Sequence, residues 1–255
     1  MSKIFFCGDN HGNFRHIVQA VEEHRPDAIV LLGDIQAQRP LEVELGSIIG
    51  KTEIHFIHGN HDTDDKEDYT NLFASELAHL NLHGRVVEVA GVRIAGLGGI
   101  FRGKVWSPPT PPEHQSYLSF TKELGRRQAW QKLHPDHIGT QRLTHMSTIF
   151  PDVYDALSDL AADVLVTHEA PSCHRHGFEE IDLLAQAVGA KLAFHGHHHD
   201  RLDYSSKWEA LGFRAYGVGF CGITDLDGNV IMPGDFDDEQ LAREMNRLRS
   251  GAQRR

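Results

Sequence analysis

Residues 4–12, Ile4-Phe5-Phe6-Cys7-Gly8-Asp9-Asn10-His11-Gly12, read as a short apolar strand running straight into a polar turn bounded by glycines. Phe14, Ile17, Val18 and Val21 follow at helical spacing, with Asn13 placed to cap. Ala28 to Leu32 is a second apolar run, and it ends at Gly33-Asp34. Strand, helix and strand in this order make a βαβ unit with two parallel neighbouring strands. Ile54 to Ile57 is a third strand, ending at Gly59-Asn60-His61-Asp62. The chain is therefore α/β, and parallel-sheet geometry gathers these loops at the carboxyl edge of the strands.

Two later strands end the same way. Val164 to Val166 runs into Thr167-His168-Glu169, and Leu192 to Phe194 into His195-Gly196-His197-His198-His199. Alone, an Asp-x-His, a Gly-Asp or a Gly-Asn-His-Asp is most often a turn or a helix cap. At the strand end that carries His168 a core-facing imidazole would be unusual but a solvent-facing one would not. Together the five loops offer Asp9, His11, Asp34, Asn60, His168, His197 and His199. Two carboxylates, one amide oxygen and several imidazoles can hold two divalent cations side by side and activate a water between them. The chain reads as a hydrolytic metalloenzyme. His61, next to Asn60, is placed to face substrate and give a proton to a leaving oxygen.

Val86 to Val89 and Val92 to Leu97 flank Ala90-Gly91 and predict a hairpin that starts or joins a second sheet. Pro108, Pro109, Pro111 and Pro112 interrupt the pattern, so 101–150 reads as a cap or lid insertion. A helix is expected from Asp152 to Ala161 with Val153, Leu157 and Leu160 inward, and another near Glu179 to Val188. Phe213 to Ile223 and the Asp227-Gly228-Asn229 turn suggest a closing antiparallel meander, and 235–255 a charged helix or tail. One catalytic domain over 1–234 is expected.

With 255 residues the chain can bury a full core without a metal to staple it, so a metal site would serve function. The 24% charged and 40% hydrophobic content is that of a globular protein, and no apolar run reaches a bilayer span. The N-terminus lacks the pattern of an export signal, and three widely spaced cysteines, Cys7, Cys173 and Cys221, fit a reducing compartment. Cytoplasm is the expected location. A net charge of -11 argues against a surface built for nucleic acid, and no membrane partner is expected. Within 101–150, however, seven Lys or Arg outnumber three Asp or Glu. Arg102 and Lys104 from this basic segment are the candidate substrate contacts.

The ordered set Gly-Asp-x-His-Gly, Gly-Asp, Gly-Asn-His-Asp, a lone His after a strand, and Gly-His-x-His resembles the calcineurin-like metallophosphoesterases, over roughly residues 3 to 200. The resemblance implies a four-layer αββα sandwich of two mixed sheets with the metal site at one sheet edge. It implies that Asp9, His11 and His199 hold one ion, that Asn60, His168 and His197 hold the other, and that Asp34 bridges them. It also implies manganese, with iron, zinc or nickel as alternatives, and makes His61 the substrate-side histidine. The expected reaction is hydrolysis of a phosphomonoester or phosphodiester of low molecular weight by a dimetal-bound hydroxide. The Ser/Thr protein phosphatase branch carries Asp-Arg three and four residues after its bridging Asp and closes its third motif with Glu. Here Ala37, Gln38 and Asp62 stand at those places, which removes a phosphate-clamping Arg and a carboxylate that orients the histidine. The stretch from Gly91 to Arg102 is loosely similar to lariat-debranching relatives, which place Cys where Asp9 stands. A noncatalytic scaffold of the same fold that binds a protein, and an RNA- or DNA-processing nuclease, are the competing readings.

Overall fold

The computed structural model describes residues 2–131 and 143–237. Two five-stranded mixed sheets stack face to face. The first contains β1 (Ile4–Cys7), β2 (Ala28–Leu31), β3 (Glu53–Phe56), β9 (Ile223–Asp225) and β10 (Val230–Met232), in the order β10-β9-β1-β2-β3. The second runs β4-β5-β6-β7-β8, from β4 (Arg85–Val89), β5 (Val92–Leu97), β6 (Val164–Thr167), β7 (Leu192–His195) and β8 (Arg214–Gly217). Strands β1, β2 and β3 are mutually parallel, as are β5 to β8, whereas β9 and β4 pair antiparallel with β1 and β5.

Side-chain alternation along each strand assembles three apolar layers. Ile4 and Phe6 of β1 point between the sheets, where they meet Val30, Val164, Val166 and Phe194. The Phe6 and Phe194 rings stack 3.8 Å apart, joining β1 to β7 across the sandwich. Phe5 and Cys7 point the other way, onto helix α1 (Arg15–His24), whose Ile17 and Val21 are buried against them. Ala95, Leu165 and Ala193 of the second sheet pack outward with Leu157, Leu184 and Phe213. The expected four-layer sandwich is thus present. It arises because each parallel strand is apolar on both faces and must be covered twice.

Two expectations change. The stretch after Phe213 is not one antiparallel meander, because β8 adds to β7 in parallel and the chain then crosses to the other sheet, where β9 and β10 form the hairpin. Local periodicity alone could not say which sheet edge remained open. Leu160 is 43% exposed rather than inward, since the helix ends at Ser158. Of the expected insertion, 101–131 and 143–150 are described. They hold a helix, Tyr117–Gln131, and an Ile100–Thr148 bridge that ties the segment's two ends beside β5. Residues 132–142, and the C-terminal helix or tail beyond residue 237, lie outside the described residues. No described helix is long and apolar enough to cross a membrane.

Candidate metal centre

The loops after β1, β2, β3, β6 and β7 meet at one edge of the sandwich, around Asp34. Its Oδ2 lies 3.3 Å from His168 Nε2 and 3.9 Å from His11 Nε2, while its Oδ1 accepts a 2.8 Å hydrogen bond from the His61 backbone N–H. His11, Asp34 and His199 form one set with donor atoms all within 4.8 Å of one another; Asp34, His168 and His197 form a second. Asp34 belongs to both. Asp9 Oδ2 is 3.4 Å from His199 Nε2, and Asn60 Oδ1 is 3.3 Å from His168 Nε2. All seven side chains proposed from the sequence as ligands therefore converge.

The backbone is bent to bring them there. His11, Asp34, His197 and His199 all have positive φ, between 40° and 69°, a region in which non-glycine residues are uncommon and are retained mainly at functional sites. Two glycines permit the close approach of the loops. A Cβ at Gly59 would overlap the Asp34 carboxylate, and one at Gly196 would overlap that of Asp9.

Neighbouring polar groups orient the imidazoles. His168 is fully buried at the end of β6, the core-facing placement that is unusual for an imidazole at a strand end. Its Nδ1–H donates to the Leu32 carbonyl at 2.8 Å, which leaves the Nε2 lone pair facing Asp34 and Asn60. His11 Nδ1–H donates to Gln36 Oε1 at 2.5 Å, directing Nε2 inward.

The donor set suits cations. Asp9 is fully buried and its carboxylate oxygens meet no side-chain donor in hydrogen-bonding geometry, with only the His197 backbone N–H turned toward them, an arrangement that is costly without a positive charge nearby. Burial pushes the Asp9 carboxyl well above its ordinary range, His168 opposes this and the Asp34 charge adds to it. Burial also works against the Asp34 charge, but the His168 charge and hydrogen bond, with the His61 amide, outweigh it and hold this carboxyl low. In turn His168, despite burial, is pushed up to about 10 by Asp34 and Asp9. His197 is pushed down to about 3, by burial and then by His168, so it is a neutral donor. Two buried carboxylates are thus left with one imidazolium between them.

Several residues around the site take positions that the sequence did not assign. Asp62 is buried and accepts from the Gln36 and Gly59 backbone N–H groups at 2.7 and 2.8 Å, locking the second and third loops together. The expectation that this chain lacks a carboxylate to orient His61 is corrected by Asp64, whose Oδ2 lies 2.5 Å from His61 Nδ1. The replacement carboxylate simply sits two positions later, on the 3₁₀ turn that begins at His61. His195 and His198 face away from the centre, with His198 stacked on His174 at 3.9 Å and His174 against Asp200. The tract thus divides, with 197 and 199 forward and 195 and 198 behind.

The candidate substrate contacts part company. Arg102 donates to Ser147 Oγ at 3.3 Å, and Ser147 Oγ lies 2.6 Å from Thr63 Oγ1, which joins the insertion to the third loop. Burial lowers the Arg102 guanidinium, while the charges of Asp64, Glu169 and Asp34 raise it, so this cation sits beside the centre. Lys104 instead lines a side cavity with His114, Glu123 and His145, away from the seven donors. Two positions of an irregular loop point to different sides, which sequence spacing could not resolve.

Residues 2–201 match the model of the calcineurin-like phosphoesterase family. An uncharacterized protein of Haemophilus influenzae is 38% identical over 229 residues, covering 90% of this chain and 96% of that one. The crystal structure of TT1561 of Thermus thermophilus superposes with a TM-score of 0.54 at 15% identity, covering 91% of this chain and 98% of that one, a likeness of fold.

Proposed function

This chain belongs to the calcineurin-like phosphoesterase family, and from that premise we propose that it hydrolyses a phosphomonoester or phosphodiester of low molecular weight at the Asp34 centre with two divalent cations, manganese before iron, zinc or nickel. The observation that carries the reading is the sharing of Asp34 by two donor sets, beside a buried Asp9 carboxylate that meets no side-chain hydrogen-bond donor. Asp9, His11 and His199 would hold one cation, Asn60, His168 and His197 the other, and Asp34 both. Bound there, the pair would lower the pKa of a shared water toward neutrality and offset phosphoryl charge.

The chain's own groups do the rest. His61 keeps its Nδ1–H on Asp64, which fixes the ring and leaves Nε2 free to face the leaving oxygen and give it a proton. The His61 backbone N–H on Asp34 Oδ1 couples the position of the acid to the centre of the site. Arg102, held by Ser147, offers fixed positive charge to a phosphoryl oxygen, where a preorganised donor is worth most. Asp62 holds the two loops that carry Asp34 and Asn60 in register. The three free cysteines, Cys7, Cys173 and Cys221, support a reducing, cytoplasmic setting.

The test is hydrolysis of p-nitrophenyl phosphate and bis-p-nitrophenyl phosphate by protein stripped with chelator and reloaded with manganese. Turnover that returns with the metal supports the reading. A fully metal-loaded protein inert toward both aryl esters and toward a panel of nucleotides and phosphorylated metabolites would overturn it, in favour of the scaffold.

A further inference from the structure

One flank of the centre is polar, with His61, Asp64 and Arg102. The other is aromatic. The His11 and Phe220 rings lie 5.4 Å apart at an interplanar angle of 27°, and Phe236 continues the pile 5.1 Å further at 32°. The His199 ring sits 5.0 Å from Phe220 on the same side. Two candidate metal donors thus form the inner end of a row of rings whose outer end, Phe236, is 41% exposed.

The row is anchored to the centre. The Cys221 N–H donates to the Asp9 carbonyl at 3.0 Å, the Phe220 N–H to the His199 carbonyl at 3.4 Å, and the Asp235 N–H to the Phe220 carbonyl at 2.9 Å. Phe220 and Phe236 therefore keep a set distance from the groups that would hold the phosphate. Leaving a phenyl face in water forgoes the burial that most other phenylalanines here achieve, and the loss is recovered when a flat apolar or heteroaromatic group lies on it.

We propose that Phe220 and Phe236 form a stacking platform that seats the nucleobase of a nucleoside monophosphate, or of a diester containing one, while its phosphate lies on the Asp34 centre. The inference rests on the phosphoesterase reading and adds the substrate class. A nucleobase fits better than an alkyl chain because the exposed Phe236 ring extends a row of aromatic rings, tilted by 32° on Phe220, instead of closing an apolar groove. Stacking also tolerates any base, so the platform specifies the class of substrate and not one base.

The experiment compares kcat/KM for nucleoside 5′-monophosphates and for ribose 5-phosphate in manganese-loaded wild type, Phe236→Ala and Phe236→Trp. The wild type should favour the nucleotides by about five-fold or more, the range a single base–aromatic stack supplies. Phe236→Ala should bring the ratio close to one, chiefly through KM, and Phe236→Trp should keep it. Equal ratios in wild type and Phe236→Ala, or a wild type that prefers ribose 5-phosphate, would overturn the platform. Hydrolysis of p-nitrophenyl phosphate reports on the parent reading separately. If that is absent, equilibrium binding of a nucleoside monophosphate to the manganese-loaded protein decides: weaker binding by Phe236→Ala than by Phe236→Trp upholds the platform, and equal binding by both removes it.

Discussion

Asp34 Oδ2 stands 3.3 Å from His168 Nε2, and the two residues come from loops that close different sheets of the sandwich. The pair is the point at which the two halves of the site join. Neither sheet alone offers both donor sets, so the stacking of the sheets and the assembly of the centre are one event.

Replacing Asp34 by Asn keeps the volume but removes the shared negative charge. Bound manganese, counted by elemental analysis after gel filtration, should fall below two per chain, and aryl phosphate turnover by roughly two orders of magnitude or more. Two ions bound at wild-type affinity in the variant would show that Asp34 does not bridge.

Asp64→Asn tests the pairing with His61. The amide can still accept from Nδ1–H but holds the ring less firmly than the charged carboxylate, so turnover should fall by about 10²-fold on alkyl phosphates and much less on p-nitrophenyl phosphate, whose leaving oxygen needs little proton help. The same asymmetry is expected of His61→Asn. Equal losses on both substrates would deny His61 the role of acid.

Chelation should destabilise the fold, because the buried Asp9 and Asp34 are then left with only His168 to offset both. Cations at about 1,000 times their dissociation constant contribute about 4 kcal/mol, which for a chain of this size is a fall in Tm on the order of 10 °C on their removal. Differential scanning calorimetry with chelator, and then with manganese restored, reads the difference. An unchanged Tm would mean that the carboxylates are satisfied without metal.

Asp62→Ala should be costly at a position that touches no substrate. Two buried backbone donors, Gln36 N–H and Gly59 N–H, lose their acceptor, a loss of about 2 to 6 kcal/mol at 1 to 3 kcal/mol for each group. Urea unfolding measures it. A loss under about 1 kcal/mol would mean that the two loops hold their register by other means.

His16, on α1 and outside the seven candidate donors, gives the fold a pH dependence of its own. It is 9% exposed, neither ring nitrogen has a partner, and burial pushes it from 6.5 down to about 4, with Asp235 opposing. The unfolded chain takes up the proton near pH 6.5 and the folded chain not until about 4, so the unfolded state binds more protons between these values. The contribution is complete above pH 6.5 and is lost as the pH falls toward 4, by at most about 3 kcal/mol. His16→Leu should flatten the fall in urea midpoint between pH 6.5 and 4.5, and an undiminished slope in the variant would assign it to other groups.

Much of this protein is legible from its sequence, because the relevant physics is local. Ile4 to Cys7, the helix of Ile17 and Val21, and Ala28 to Leu31 declare a βαβ unit through periodicity. The five polar loops declare themselves as strand ends, and in parallel strands such ends must share an edge. The unusual residue types in those loops then suggest metal-dependent hydrolysis. What tertiary structure alone decided is whatever depends on distance across the sandwich. Spacing could not show that His168 is buried, that Asp64 stands in for a missing glutamate, that Arg102 and Lys104 diverge, or that Phe220 and Phe236 extend from His11. Each of these depends on how one sheet is stacked and turned upon the other. That arrangement is settled by the summed packing of Phe6, Phe194 and their neighbours between the sheets, and no short segment of the chain encodes it.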